Sequence, residues 1–371
     1  MIAQLGEKMK FINQVEPYIT EKEIEAINEY LKSGGWLTEF RKTKEFEERI
    51  AEYIGVKHAI VVTSGMVGLY LSVLAHGIGR DDKVLVPNYT MIATINAITW
   101  AGAEPVLVDI DPENLCLDLS KIRNVSKCKA MMYVPINGRF GNMDEIVNYC
   151  ESNNLILIED SCQAMGSEFN GRKIGSFGSA GVFSFTPHKI ITTGQGGAVV
   201  TNDYNIANKV RKLKDFHRTA PATDWHDGLG FNFKFTDLQA VIGIEQIKTI
   251  DFRVKRKKEI YQRYQANLSG IHELTMPDTD YENMVPWFVD AFLESESIRD
   301  GLSAYLSERN IGSRPTYPPI NRQSIYEKND VNYPVSGDFA RRGLWLPSSI
   351  GLSLDVIDYV CNIIVEYMNG G

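Results

Sequence analysis

The sequence predicts an α/β protein, with a mostly parallel seven-stranded sheet between helices and a smaller C-terminal α+β domain. Three observations predict it. Seven short apolar runs recur between residues 59 and 201: "AIVV" (59–62), "KVLVP" (83–87), "EPVLVDI" (104–110), "KAMMYVPI" (129–136), "LILIED" (155–160), "GVFSF" (181–185) and "GAVVT" (197–201). Most are separated by helix-length spacers, and Val- and Ile-rich runs of this kind belong to strands covered on both faces. After "MPDTDYENMVP" the pattern changes to strand, helix and strand, in "WFVDAFL", "SIRDGLSAYLSERN" and "SRPTY".

In chain order, "TEKEIEAINEYLKSGG" has Thr20 as N-cap, Glu23 three residues later, apolar Ile24, Ile27 and Leu31, and Gly34 as a stop. That is a short amphipathic helix with a capping box. Strands and helices then alternate to about residue 200. The last two apolar runs lie too close for a helix between them, which predicts a local antiparallel pair. Helices are expected at 203–216 and 236–266, and "SLDVIDYVCNIIVEYM" closes the chain with Val356, Val360, Ile363 and Ile364 on its apolar side. Residues 1–250 are expected to form the large domain with an N-terminal helical arm, and 251–371 the smaller one.

Composition is that of a globular protein, at 44% hydrophobic and 23% charged residues over 371. A net charge of −8 argues against nucleic acid as the main partner, though a local anion site stays open. The five cysteines are odd in number, widely spaced and free of CxxC, so neither a disulfide framework nor a metal site is expected. The start "MIAQLGEKMKFINQVEPYIT" is polar and no run approaches a membrane span, so a cytoplasmic protein without membrane contacts is expected.

Ligands of open parallel sheets sit beyond the carboxyl ends of the strands. After the first run, Thr63-Ser64-Gly65 feeds a helix whose N-terminus suits a phosphate, or is only a cap and a tight turn. Asp160 ends its strand, where an acid needs a cationic partner or serves as an N-cap; Gln163 fits either reading. Lys189, in "FSFTPHKIITTGQGG", is a solvated charge, a phosphate ligand or an imine-forming nucleophile.

The order of these parts is what distinguishes them. A small-residue turn, a strand-end Asp with Gln three later, "FSFxxxK" and "TGxGG" together resemble the PLP-dependent nucleotide-sugar aminotransferases of fold type I. The likeness runs from "KSGGWLTEFRKTKEFEERIAEYIGVKHAIVVTSG" through "GLGFNFKFTDLQAVIG" to "GLWLPSSIGLSLDVIDYV", and looks closest to the perosamine-synthase branch through "DWHDGLGFNFKFTDLQAVIG" and "GSRPTYPPIN". The resemblance implies pyridoxal 5'-phosphate, with pyridoxamine 5'-phosphate as its aminated form. Lys189 would bind it covalently and shuttle protons. Asp160 would pair with the pyridine nitrogen, Gln163 would bond near the phenolic oxygen, and Gly65, Met66 and Ser184 would hold the phosphate. Asn232 would reach that phosphate from a second subunit, making a homodimer with shared sites.

Some positions depart from the family. Met66 stands for a usual Thr, keeping only the backbone donor. Met91 occupies the place of an aromatic that stacks on the ring, for which Tyr89 is a substitute. Lys234 replaces Arg and Asn321 replaces His. Candidate substrate residues are His188, Trp225, His226, Lys234, Arg314 and Tyr317. The basic runs "KVRKLKDFHR" and "RVKRKK" read as solvated faces. The activity implied is transfer of the amino group of L-glutamate to the C4 ketone of a nucleotide-linked 4-keto-6-deoxyhexose, GDP-perosamine-synthase-like, for O-antigen or related glycans. A dTDP- or UDP-linked 4-keto or 3-keto sugar is the alternative. A PLP-dependent sugar 3-dehydratase is the second alternative; such enzymes carry His for the lysine.

Overall fold

The computed structural model describes residues 11–220, 223–327 and 330–370. All seven apolar runs become strands of one sheet. Helices α1 (Glu21–Lys32) and α2 (Arg41–Ile54) precede it. Strands β1 (His58–Val62), β2 (Lys83–Pro87), β3 (Glu104–Val108), β4 (Cys128–Tyr133) and β5 (Ile156–Asp160) follow, with α3 (Gly65–Ala75), α4 (Ile92–Trp100) and α5 (Met143–Ser152) among them. A two-residue hairpin, β6 (Glu168–Phe169) and β7 (Arg172–Lys173), leads to β8 (Ala180–Ser184) and β9 (Gly197–Thr201). The strand order is β1-β9-β8-β5-β4-β2-β3. Only β9 is reversed, antiparallel to both β1 and β8, as the short spacer predicts.

The strands read as continuous apolar runs because both faces are covered: Val61, Leu85, Met131 and Val199 are fully buried, on one side or the other. Helix α6 (Tyr204–Lys214) is capped by Asp203. The helical region expected over 236–266 consists of two helices, α7 (Asp237–Lys248) and α8 (Ile250–Leu268), broken at Thr249 where ψ turns to 16°. Beyond it lies an antiparallel sheet of β10 (Leu274–Thr275), β11 (Val289–Leu293), β12 (Arg314–Pro315) and β13 (Gly343–Leu346), in the order β10-β11-β13-β12. Helices α9 (Glu296–Glu308), α10 (Pro334–Arg342) and α11 (Leu354–Met368) accompany it. The apolar face of α11 is centred on Ile357, Val360, Cys361 and Ile364, with Val356 and Ile363 at its margins.

Two expectations are corrected. In α1 the buried residue is Glu23, while Ile24 and Leu31 are exposed. Glu23 completes the capping box to Thr20 and also takes a hydrogen bond from Arg253 Nη2 at 3.2 Å, so tertiary pairing overrides the apolar stripe. The basic runs are not purely solvated. Lys214, Arg253 and Lys257 are buried. Lys214 Nζ meets Glu39 at 2.9 Å and donates to Val61 O at 2.9 Å, satisfying a charge that burial alone would penalise.

Helix α8 serves both cores. Ile250 packs in one cluster with Phe46 of α2 and Val61 of the large sheet, and Ile260, Tyr264 and Leu268 in another with Val289 and Leu346 of the small one. A buried pair crosses between the sheets: Arg139, after β4, donates to both oxygens of Asp290 on β11 at 2.7 and 2.8 Å, and to Tyr261 on α8 at 2.8 Å. Among the described residues, no helix is long and apolar enough to cross a membrane, and no cluster of His, Cys, Asp or Glu is placed to hold a metal ion.

Candidate active site

The carboxyl ends of β1, β5 and β8 meet at one rim of the sheet, and reversed β9 starts there. Two glycines permit the approach. A Cβ at Gly197 would lie 2.6 Å from Gly65 N and from Ser64 backbone atoms; one at Gly65 would lie 2.9 Å from Ser184 Cβ and Cys162 Sγ. Ser64 caps α3 by accepting from Val67 N–H at 3.2 Å. The first-turn N–H groups of Gly65 and Met66 have no partner inside the helix and carry the positive end of its dipole.

Asp160 is buried. Its Oδ2 accepts from Thr94 Oγ1 at 2.7 Å, and its Oδ1 from Cys162 N–H at 3.3 Å. No helix starts after β5, so the N-cap reading of Asp160 and the capping-box reading of Gln163 are set aside. Gln163 Oε1 instead accepts from Asn137 N–H at 2.9 Å. Asn137 adopts the left-handed region at φ 51°, which frees its side chain to bond the backbone of Phe288 on both sides, at 2.6 and 3.0 Å.

Lys189 sits in the loop between β8 and β9, open to the cavity on one side and packed elsewhere. Burial pushes its amine down to about 8; Arg314 pushes the same way, and Cys162 and Asp160 oppose. Its Nζ lies 3.5 Å from the centre of the Trp287 ring. Burial pushes His188 down to about 4, helped by Lys189, Arg314 and Lys257, so its imidazole is neutral at pH 7.

One cavity of about 340 Å³ brings together Gly65, Met66, Met91, Asp160, Gln163, Ser184, His188, Lys189, Arg314 and Tyr317, ten of the fourteen candidates. Asn232, Trp225, His226 and Lys234 are not in this chain's cavity. Trp225 is 78% exposed, and Lys234 Nζ pairs with Asp215 Oδ1 at 2.6 Å. His226 Nδ1 lies 2.9 Å from Phe216 O, and Asn232 bridges to Asp215. Tyr89 is buried behind Tyr317, ring centres 6.4 Å apart, and does not replace the missing aromatic at Met91. Asn321 is buried against Asn88, away from the cavity.

Sequence reasoning missed Trp287, Cys162 and Thr94. Trp287 reads as the start of an apolar strand, and Thr94 as one polar position in "TMIATINAITW"; neither carries a local signal.

The sequence pattern of the DegT/DnrJ/EryC1/StrS aminotransferase family matches residues 17–365. The chain belongs to that family. It is 35% identical over 361 residues to the GDP-perosamine synthase of Escherichia coli O157:H7, covering 97% of this chain and 99% of that protein. It is 34% identical to the GDP-perosamine synthase of Vibrio cholerae, over 95% and 98% of the two chains. Among solved structures, DesV of S. venezuelae superposes with a TM-score of 0.88 at 29% identity, covering 95% of each chain. The aminotransferase TlmJ of Streptoalloteichus hindustanus gives 0.91 at 28%, over 97% and 100%.

The protein is a PLP-dependent nucleotide-sugar aminotransferase, and its cavity fits that cofactor. The close approach permitted by Gly65 and Gly197 leaves two helix N–H donors beside the Ser184 hydroxyl, a donor set for a phosphate. The same cavity holds a buried carboxylate and a lysine whose amine is readily freed of its proton. When bound, pyridoxal phosphate supplies the electron sink for a carbanion at the substrate carbon.

Proposed function

We propose that this enzyme moves the amino group of L-glutamate to the C4 ketone of a GDP-linked 4-keto-6-deoxyhexose. One observation carries the reading: about 35% identity, over nearly the whole chain, to relatives named GDP-perosamine synthase. In this reading Gly65, Met66 and Ser184 hold the cofactor phosphate, Asp160 holds the ring nitrogen and Gln163 orients the ring's oxygen side. Lys189 Nζ takes the proton from the α-carbon of the amino donor and later delivers one to C4 of the sugar. With burial holding the amine near 8, about a tenth is unprotonated and able to accept at pH 7, far more than for a solvated lysine. His188 lines the cavity, and its imidazole, pushed down to about 4, is a weaker proton acceptor than the Lys189 amine near 8.

Arg314 is, among the described residues, the other cation lining the cavity. It lies over the rings of Trp345 and Phe288, at 4.7 and 5.7 Å, with no carboxylate partner among the described residues, so its N–H fork is available to an anionic group of a substrate. Residues 1–250 form the cofactor domain and 251–371 the smaller one. Two copies pair in the cytoplasm, and Asn232 of each reaches the other's cofactor phosphate. Exposed Ile24, Leu31, Trp36, Leu37 and Phe40 support such pairing, because so many large apolar side chains on one protomer call for cover.

The test is product mass spectrometry after incubation with pyridoxal phosphate, glutamate and a panel of GDP-, dTDP- and UDP-linked 4-keto-6-deoxyhexoses. An aminated GDP sugar with equimolar 2-oxoglutarate is expected. Amination of a dTDP or UDP sugar alone would reassign the nucleotide, and loss of water from the sugar would indicate a dehydratase.

A further inference from the structure

The ring beside Lys189 is fixed more firmly than packing alone requires. Trp287 is buried, and each of its polar groups is tied. Its indole N–H donates to His188 O at 2.8 Å, its carbonyl accepts from Lys257 Nζ at 2.6 Å, and its N–H points at Asn137 O at 3.5 Å. The second hydrogen bond of Lys257, to Ser348 O at 2.6 Å, anchors that clamp to the segment after β13. Phe288 stacks on the indole at 3.8 Å, and Arg314 lies over Phe288. The two stacked rings thus each carry a cation, Lys189 on the indole and Arg314 on Phe288.

We propose that the indole face of Trp287 is the seat of the free Lys189 amine: it receives the ammonium whenever that amine is not covalently engaged, with Lys257 and Asn137 as positioning residues for the ring. The attraction is that of a cation to the negative face of an aromatic ring, which strengthens when water is excluded. A proton-shuttling lysine is released in the first half-reaction, stays free while the cofactor carries the amino group, and is recaptured at the end of the second. A fixed seat 3.5 Å away keeps it from collapsing onto the Asp160 carboxylate, the one acidic side chain lining the cavity among the described residues. The groups facing Lys189 are Asp160 and Cys162 from the end of β5, Arg314 from β12 and its neighbour His188. None of the four is in hydrogen-bond contact with its Nζ among the described residues. The inference rests on Lys189 as the reacting amine, but not on which sugar or donor it serves.

The experiment therefore reads the lysine without turnover. Cofactor-free enzyme is trace-labelled with acetic anhydride across pH 6–10, and acetylation of the Lys189 peptide is followed by mass spectrometry. Tryptophan at 287 is replaced, by site-directed incorporation, with mono-, di- and trifluorotryptophan, which keep the shape and drain charge from the ring face. The labelling midpoint is expected to fall stepwise, by about one pH unit for the full series, a tenfold rise in reactivity at fixed pH below the midpoint. Trp287→Leu should reproduce the full fall, and Lys257→Met a part of it. A midpoint independent of fluorine number would overturn the proposal. An enzyme that aminated no GDP sugar but showed the stepwise fall would overturn only the substrate assignment.

Discussion

Thr94 donates its hydroxyl to Asp160 Oδ2 across 2.7 Å, from a helix that starts in a different crossover of the sheet. Thr90 Oγ1 lies 3.0 Å from the same hydroxyl, so the carboxylate is oriented by a short buried relay. Removing the donor strips a charge-assisted hydrogen bond worth about 1.5–3 kcal/mol from a group with few replacements. Thr94→Val is expected to weaken pyridoxal phosphate binding about tenfold or more while leaving the fold intact. Equilibrium dialysis of cofactor against the variant checks it.

Arg314 has rings against its face and, among the described residues, no acid at its edge. Arg314→Gln should raise the KM of one substrate on the order of 100-fold with a smaller change in kcat, since a uniform binding contact is lost. Separate titrations of the glutamate and sugar half-reactions show which anion it serves; unchanged KM for both would remove it from the substrate site.

Arg139 and Asp290 join the two sheets inside the protein, each 4% exposed or less. Arg139→Met leaves the Asp290 carboxylate buried without its partner, and a loss of about 3–5 kcal/mol in unfolding free energy is expected. The double variant Arg139→Met with Asp290→Leu should recover most of it, because no bare charge remains. Urea unfolding of the three proteins decides the matter, and a double variant no better than the single would refute the argument.

Lys257 gives stability a pH dependence. Burial pushes its ammonium down to about 7, below the value of an unfolded lysine. Above pH 7 the unfolded chain therefore binds more protons than the native one, and stability rises with pH towards the unfolded value; below pH 7 the contribution is flat and unfavourable. Between pH 7 and pH 8.5 wild-type protein should gain roughly 2 kcal/mol from this group. Lys257→Met should lack that gain, and parallel slopes for the two proteins would show that Lys257 does not titrate there.

The large sheet was legible because strands buried on both faces leave uninterrupted Val and Ile runs. The small sheet was less so. β11 and the short β12 were read within "WFVDAFL" and "SRPTY", but β10 is two residues, too short for a period, and "GLWL" of β13 hides between a helix and a proline. In the site, the strand-end rule pointed to Asp160, which kept an ordinary reading, while the roles of Ser184 and Lys189 came from the order of motifs and the family resemblance. Trp287 was not legible, since its role comes from Lys257, thirty residues back, and from His188 on another element. The same non-local pairing explains α1, where Glu23 is drawn inward by Arg253 and Gln246 while Ile24 stays outside.

The reversal of β9 also governs how Lys189 is carried. Because β8 ends at Ser184 and β9 begins beside it at Gly197, the chain leaves and re-enters the sheet on one rim. The segment 185–196 is therefore a tether moored at both ends to neighbouring backbone, with Phe185 N–H bonded to Gly196 O at 2.9 Å and Thr193 N–H to Phe185 O at 3.0 Å. A lysine on such a loop can swing its side chain while its Cα stays put. Its working range is the reach of four methylenes, and a longer or looser loop would widen that range at the expense of aim.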